Sequence, residues 1–518
     1  MYNSFLHRLI TIPVTFLVLG TCALRASTDV ADIRTPPPST TPRINGPSIF
    51  GVRPGSPFLY SIPATGNRPI TYHVDGLPTG LTIDTATGRI TGRLTERATY
   101  SVIFHASNAL GTTEKRFRIV VGDKIALTPP MGWNSYNCWA DSVDQDKILR
   151  SAHALVASGL ANHGWTFVNI DDTWQGERAG PHHAILGNEK FTDMKRLCDE
   201  IHALGLKAGI YSSPWVTTYA GFRGGSSDDA QGSWEKLKEY EINKRIGRYE
   251  FAANDAAQFA EWGFDYLKYD WNPNDVEHTK QMALALRATG RDLVFSLSNS
   301  APLYAMTELS KWAEVWRTTG DIWDTWETPG VWQNSVSEIG FNQDAWTVHG
   351  GPGGWNDPDM LVVGRVGWGP KLHDTKLTPA EQYTHISLWC LLSAPLLIGC
   401  DLEHIDAFTL NLLTNDEVIS IDQDPLGISA RRAATIGAID VYQKPLEDGG
   451  TALGFFNRGD IPHTVTVKLE RFGVGGNQNV RDLWRQKDLA PVKNEMEITV
   501  GPHDVLLYKF TAAPTEKK

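Results

Sequence analysis

From Lys124 to Pro425 the chain repeats one pattern, a short apolar run, a polar break and then an amphipathic stretch. Apolar runs recur at Phe167–Ile170, Lys207–Tyr211, Tyr266–Asp270 and Val294–Leu297, with helical periodicity between them, as in Asp144–Ser158 and Phe191–Ala203. Such alternation specifies parallel βα units, because two parallel neighbours need a crossover long enough to hold a helix. With Met131–Trp133 as the first strand and Pro395–Ile398 as the last, eight strands fit, so a (β/α)8 barrel is expected over 123–425. Thr378-Pro379-Ala380-Glu381 marks one helix start, with Thr as N-cap, Pro at the first helical position and Glu closing a capping box.

The flanks read differently. At 518 residues the chain is too long for a single core. His7-Arg8 followed by the apolar Leu9–Thr21 reads as an export signal over 1–28, too short to span a bilayer stably. Leu19-Gly20-Thr21-Cys22 resembles a bacterial lipobox in which Thr21 fits poorly, so a lipid anchor at Cys22 stands as an alternative to ordinary cleavage. The expected location is therefore periplasmic or extracellular. A Pro-rich linker covers 29–43. Short alternating segments with frequent turn signals over 44–122 predict a small Ig-like β-sandwich. Alternation returns after Pro425, as in Thr464–Val467 and Val505–Phe510, which predicts a C-terminal antiparallel β-sandwich over 426–513.

With 48 Lys and Arg against 59 Asp and Glu, and no basic stripe, no nucleic-acid partner is expected. Eighteen Trp, fifteen Tyr and nineteen Phe lean towards carbohydrate, because indole and phenol faces stack on sugar C–H surfaces. The cysteines after the signal, Cys138, Cys198, Cys390 and Cys400, match neither a zinc pattern nor a disulfide scaffold. Neither a metal nor a cofactor is expected.

Polar residues gather where the strands should end: Tyr136, Asp171 and Asp172, Tyr211, Lys268 and Asp270, Ser298, Arg317 and Asp321, and Asp357 with Asp359. A single strand-end Asp is commonly a helix cap. So many acids converging on one barrel face would repel one another without stabilising the fold, which points to a site. Asp270 and Asp321, both at the ends of apolar or aromatic runs, fit the carboxylate pair of glycoside hydrolysis. Lys268, two residues before Asp270 on one strand, is expected to keep that carboxyl ionised with a low pKa. Asp321 is expected to be raised by burial and by the charge of Asp270. A separation of roughly 5–5.5 Å between the two carboxyls is expected for a retaining mechanism.

Several longer runs resemble glycoside hydrolase family 27, the α-galactosidases and α-N-acetylgalactosaminidases. They are Leu127–Asn137, Val168–Trp174, Leu267–Asp270, Gly351–Leu361 and Ile421–Gly427, in family order. Leu77–Asp84 and Thr87–Gly92 resemble an Ig-like module of bacterial surface and secreted proteins. The resemblance implies a retaining hydrolase releasing terminal α-galactose, with Asp270 as nucleophile and Asp321 as acid/base. It further implies that Asp171 and Asp172 hold O4 and O6, and that Tyr136, Tyr211, Lys268, Arg317 and Asp359 complete the sugar pocket.

Departures from that pattern bear on specificity. Tyr136 stands where Trp is usual, Tyr219 and Asn272 replace two cysteines that normally pair, and 224–247 reads as an insertion after the third strand. Ser298 occupies the position where a Glu commonly faces the sugar O2, and the small residue there leaves α-N-acetylgalactosaminidase and β-L-arabinopyranosidase as alternatives. A non-catalytic carbohydrate-binding protein is the rival from another class.

Overall fold

Capped helices between the barrel strands set the architecture. Asp144, Asp193 and Asp275 each accept a backbone N–H three residues on, starting Gln145–Ala157, Met194–Ala203 and Val276–Ala288. Thr378 and Glu381 form the expected capping box of Pro379–Leu392. The computed structural model describes residues 33–233, 244–328 and 334–513. The expected signal, Cys22 and the start of the linker lie outside these residues.

Eight strands make the barrel: β1 (Met131–Asn134), β2 (Phe167–Asn169), β3 (Lys207–Ser212), β4 (Tyr266–Asp270), β5 (Val294–Ser298), β6 (Val315–Arg317), β7 (Trp355–Asp357) and β8 (Leu396–Ile398). All neighbours are parallel in the order β7-β6-β5-β4-β3-β2-β1-β8. A parallel bridge between Leu361 and Ile398 closes the ring, with Leu361 N–H donating to Leu397 O at 2.8 Å. Phe167, Tyr266, Val294, Val315 and Trp355, at the N-terminal ends, pack with Ile125 into an apolar floor. In register at the opposite end lie Tyr211 beside Lys268, Asp270 beside Ser298 and Arg317 beside Asp357. An apolar floor and a polar rim leave the C-terminal face for chemistry.

The N-terminal module is two antiparallel-rich sheets of four and three strands around a core that includes Phe104, Phe117, Ile90 and Ile119. It docks under the barrel floor, far from the polar rim. Ser61 Oγ donates to Gly205 O at 2.9 Å, and Arg89 donates to the carbonyl of Ala203 at 2.7 Å. Arg53 bonds Asp292 at 3.2 Å and Glu314 at 2.7 Å. Between the module and the floor lies a cavity of about 590 Å³, lined by Phe50, Tyr60, Phe167 and Lys207 among others. Arg53→Ala strands the buried carboxyl of Glu314 and should destabilise the protein by about 2–3 kcal/mol, read as an earlier thermal transition with rim activity unchanged.

Beyond the barrel, the C-terminal strands form one continuous antiparallel order from Arg431–Ile436 to His463–Lys468, wrapped on a core of Val441, Phe455, Val480, Ile498 and Phe510. It packs on Pro379–Leu392, a helix buried on nearly every side. Trp484 Nε1 donates to Ser387 Oγ at 2.8 Å there, and Thr384 Oγ1 donates to His503 O at 2.7 Å. Among the described residues no helix is long and apolar enough to cross a membrane.

Candidate active site

At the end of β4, Asp270 is 6 % exposed and its Oδ2 accepts from the Tyr211 hydroxyl at 2.9 Å. Its Oδ1 is buried and has no hydrogen-bond partner among the described residues. Lys268, two residues earlier, turns its ammonium to Asp171 Oδ2 at 2.8 Å. It also lies 5.5 Å from the Tyr211 ring centre and 6.0 Å from that of Tyr136. The rim around β2, β3 and β4 is thus one hydrogen-bonded unit.

Asp171 and Asp172 leave β2 in a turn that spends backbone N–H groups on carboxylates. Ser135 Oγ accepts from Asp171 N–H at 3.0 Å, and Asp171 Oδ1 accepts from Asp172 N–H at 2.8 Å. Asp172 accepts from the N–H of Thr173 at 2.6 Å and of Ala220 at 2.9 Å. Each carboxylate oxygen keeps a further lone pair for a hydroxyl donor.

Arg317, 3 % exposed at the end of β6, is the hub of the opposite side. It pairs with Asp359 Oδ1 at 2.9 Å and with Asp321 Oδ1 at 3.2 Å. Asp359 Oδ2 in turn accepts from Ile322 N–H at 2.8 Å, fixing the loop that carries Asp321. Asp321 is the accessible acid of the set, its side chain 63 % exposed. Thr173, Asn299, Ser300 and Asp359, each just after a barrel strand, hold φ of 86°, 75°, 64° and 82°. Left-handed conformations at non-glycine residues are strained, and functional sites are where such strain concentrates.

Six carboxyls share this rim with two cations, and the charges settle unevenly. Burial pushes Asp270 up to about 6 despite the neighbouring Lys268 ammonium, helped by the charges of Asp321 and Asp171. Burial likewise pushes Asp172 up to about 7 and Asp357 up to about 6. Asp321 goes the other way: its partial loss of water pushes it up, but Arg317 and then Lys268 outweigh this and hold it below the usual carboxylate range. The sequence-based expectation of a low Asp270 and a raised Asp321 is therefore reversed in the free protein. The reason is geometric, since Lys268 gives its hydrogen bond to Asp171 and Arg317 gives one to Asp321.

Ser298 is 2 % exposed, beside Asp270 in register, and its carbonyl accepts from Asn274 Nδ2 at 3.1 Å. Asn272 Nδ2 donates to Asn299 O at 2.8 Å, tying the loops after β4 and β5. Tyr219 packs on Trp215 with ring centres 5.1 Å apart, and burial followed by the charges of Asp270 and Asp321 raises its phenol. It belongs to the rim, a role its sequence context did not signal. All four described cysteines are free and buried. Of the insertion after β3, Ser226–Ser227 pairs with Tyr249–Glu250, and 234–243 lie outside the described residues. Among the described residues no group of three His, Cys, Asp or Glu side chains could hold a metal ion.

Comparison with known proteins agrees with this ground plan. Residues 128–244 and 232–424 match the family model "Alpha galactosidase A", 436–510 match "Alpha galactosidase C-terminal beta sandwich domain", and 37–122 match "Putative Ig domain". The chain is 35 % identical to an α-galactosidase of Oryza sativa over 75 % of its length and 85 % of that protein. Its identity to α-galactosidase A of Cellvibrio japonicus is 36 %, over 75 % of this chain and 93 % of the relative. A crystal structure of a Bacteroides fragilis "putative alpha-galactosidase" superposes with a TM-score of 0.82 at 33 % identity, covering 92 % of this chain and 99 % of the other. Barrel, rim and matches together define a glycoside hydrolase. The chain belongs to the α-galactosidase family, glycoside hydrolase family 27.

Proposed function

We propose that the protein is a retaining exo-acting α-galactosidase, with Asp270 as nucleophile and Asp321 as acid/base. The observation that carries this reading is the unequal setting of the two acids. Asp270 is buried with one oxygen held by Tyr211 and the other unpartnered, while Asp321 stands exposed on Arg317. In the first step Asp270 Oδ1 attacks the anomeric carbon, the glycosidic C–O bond breaks, and Asp321 gives its proton to the leaving oxygen. In the second, Asp321 takes a proton from water, the water oxygen attacks the same carbon, and Asp270 leaves as a carboxylate.

The charge pattern suits this cycle. A sugar seated over Asp321 strips away its remaining water and raises its pKa, so the proton moves towards the acid/base as substrate binds. Once Asp270 is esterified its charge is gone, which lowers the pKa of Asp321 and turns it into a base. Asp171 and Asp172 would accept from O4 and O6, and Lys268, Tyr211, Tyr136, Arg317 and Asp359 would complete the pocket. Ser298 leaves the O2 side to Arg317.

Hydrolysis of aryl α-galactoside, aryl α-N-acetylgalactosaminide and aryl β-L-arabinopyranoside tests the assignment. The α-galactoside is expected to have the highest kcat/KM. A preference for either of the others would move the specificity while leaving the acids in place, and inertness towards all three would favour a binding protein.

A pH profile gives a second check. The reactive form has Asp270 ionised and Asp321 protonated. Because Asp270 is raised to about 6 and Asp321 is held low in the free protein, that form is a minor one, and kcat/KM should fall as pH rises above about 6. Tyr211→Phe removes the hydrogen bond that favours the carboxylate, so this alkaline limb should move to higher pH. An unmoved limb would place the controlling group elsewhere.

A further inference from the structure

Two residues beyond Asp321, Trp323 stacks on Trp368 with ring centres 5.1 Å apart and planes 22° from parallel. Trp323 is 51 % exposed, in a protein that buries most of its large indoles. Along 321–323 the chain alternates: Asp321 is exposed, Ile322 fully buried and Trp323 exposed again. Asp321 and Trp323 are therefore both presented to solvent on either side of the buried Ile322, at most about 7 Å apart along the backbone.

Both rings are held by their loops. Trp323 N–H donates to Asn334 O at 2.8 Å, while Ile322 N–H is fixed on Asp359. Trp368 sits between the short strands Arg365–Val366 and His373–Asp374 with φ of 49°, a left-handed conformation. Its N–H and that of Gly367 both donate to Asn137 O, at 3.0 and 2.9 Å. Asp324 joins the two loops, accepting from Lys376 N–H at 3.1 Å and contacting His373 Nε2 at 3.0 Å. A multiply anchored indole pair whose outer ring, Trp323, is left half in water is costly unless something covers it.

We propose that this pair is the platform of a leaving-group subsite, taking the pyranose ring attached to galactose in an oligosaccharide substrate. The inference rests on the reading of Asp321 as the acid/base. The oxygen that Asp321 protonates joins galactose to its leaving group, so that group must extend outward on the side of Asp321. The exposed Trp323 face, two residues from Asp321, is a broad surface there, and a sugar ring offers it an apolar C–H face while its hydroxyls remain in water.

Trp323→Ala and Trp323→Phe, compared with wild type on two substrates, test the proposal. One is α-galactosyl fluoride, whose leaving group has no ring. The other is an α-galactosyl-(1→6)-glucose disaccharide. Trp323→Ala should keep fluoride hydrolysis within about twofold and lose about tenfold in kcat/KM on the disaccharide, mostly through KM, with partial recovery in Trp323→Phe. Equal losses on both substrates, or none on either, in an active variant would overturn the subsite alone. Wild type inert towards the fluoride would remove the reading of the acids, and the subsite with it.

Discussion

Asp270→Ala should fold normally and lose about 10⁴-fold or more of its kcat on α-galactosides, because the covalent route is closed and water has no base placed to replace it. The side chain is small, and among the described residues its only hydrogen bond is the one from Tyr211, so little of the fold depends on it. Removing a buried carboxylate that burial has already pushed up to about 6 also relieves an unfavourable charge. The variant should therefore be at least as thermally stable as wild type above that pH. Added azide should restore turnover by entering the vacated space and should yield β-galactosyl azide, the product of one inversion. Residual activity near wild type would place the nucleophile elsewhere on the rim.

Asp321→Asn should discriminate by leaving group. Loss of general acid catalysis costs roughly 10²–10⁴-fold where the leaving oxygen needs a proton. Disaccharide hydrolysis should show that full loss. α-Galactosyl fluoride needs little protonation, so its first step should survive and the galactosyl-enzyme should accumulate as a burst, since the second step lacks its base. An Asn at this exposed position keeps a hydrogen-bonding oxygen for Arg317, so the fold has no reason to fail. Equal losses on both substrates would argue against an acid/base role.

The barrel was legible because nearly all of its strands are short apolar runs ending in a polar residue, and because Thr378 and Glu381 spell a capping box in adjacent sequence. The polar rim was legible for the same reason: Tyr211, Lys268, Asp270 and Arg317 sit at strand ends, where register brings them together. The electrostatics were not. Lys268 is close to Asp270 in sequence, but its ammonium reaches across to β2 for Asp171, a partner 97 residues away. The exposure of Asp321 depends on a loop whose path is set by Asp359 and Asn334, and no local pattern encodes it. Tyr219 and the Trp323–Trp368 pair belong to the same class, since loops after different strands converge and only the folded chain shows which aromatics meet.

Peptide mapping of enzyme inactivated by a slow-turnover fluorinated galactosyl fluoride would test the central claim most directly. Retention through Asp270 predicts one galactosyl adduct per chain, on the peptide carrying Tyr266–Asp270, with Asp270 as the esterified residue. An adduct on another carboxylate, or none together with a first-formed product of inverted configuration, would contradict it.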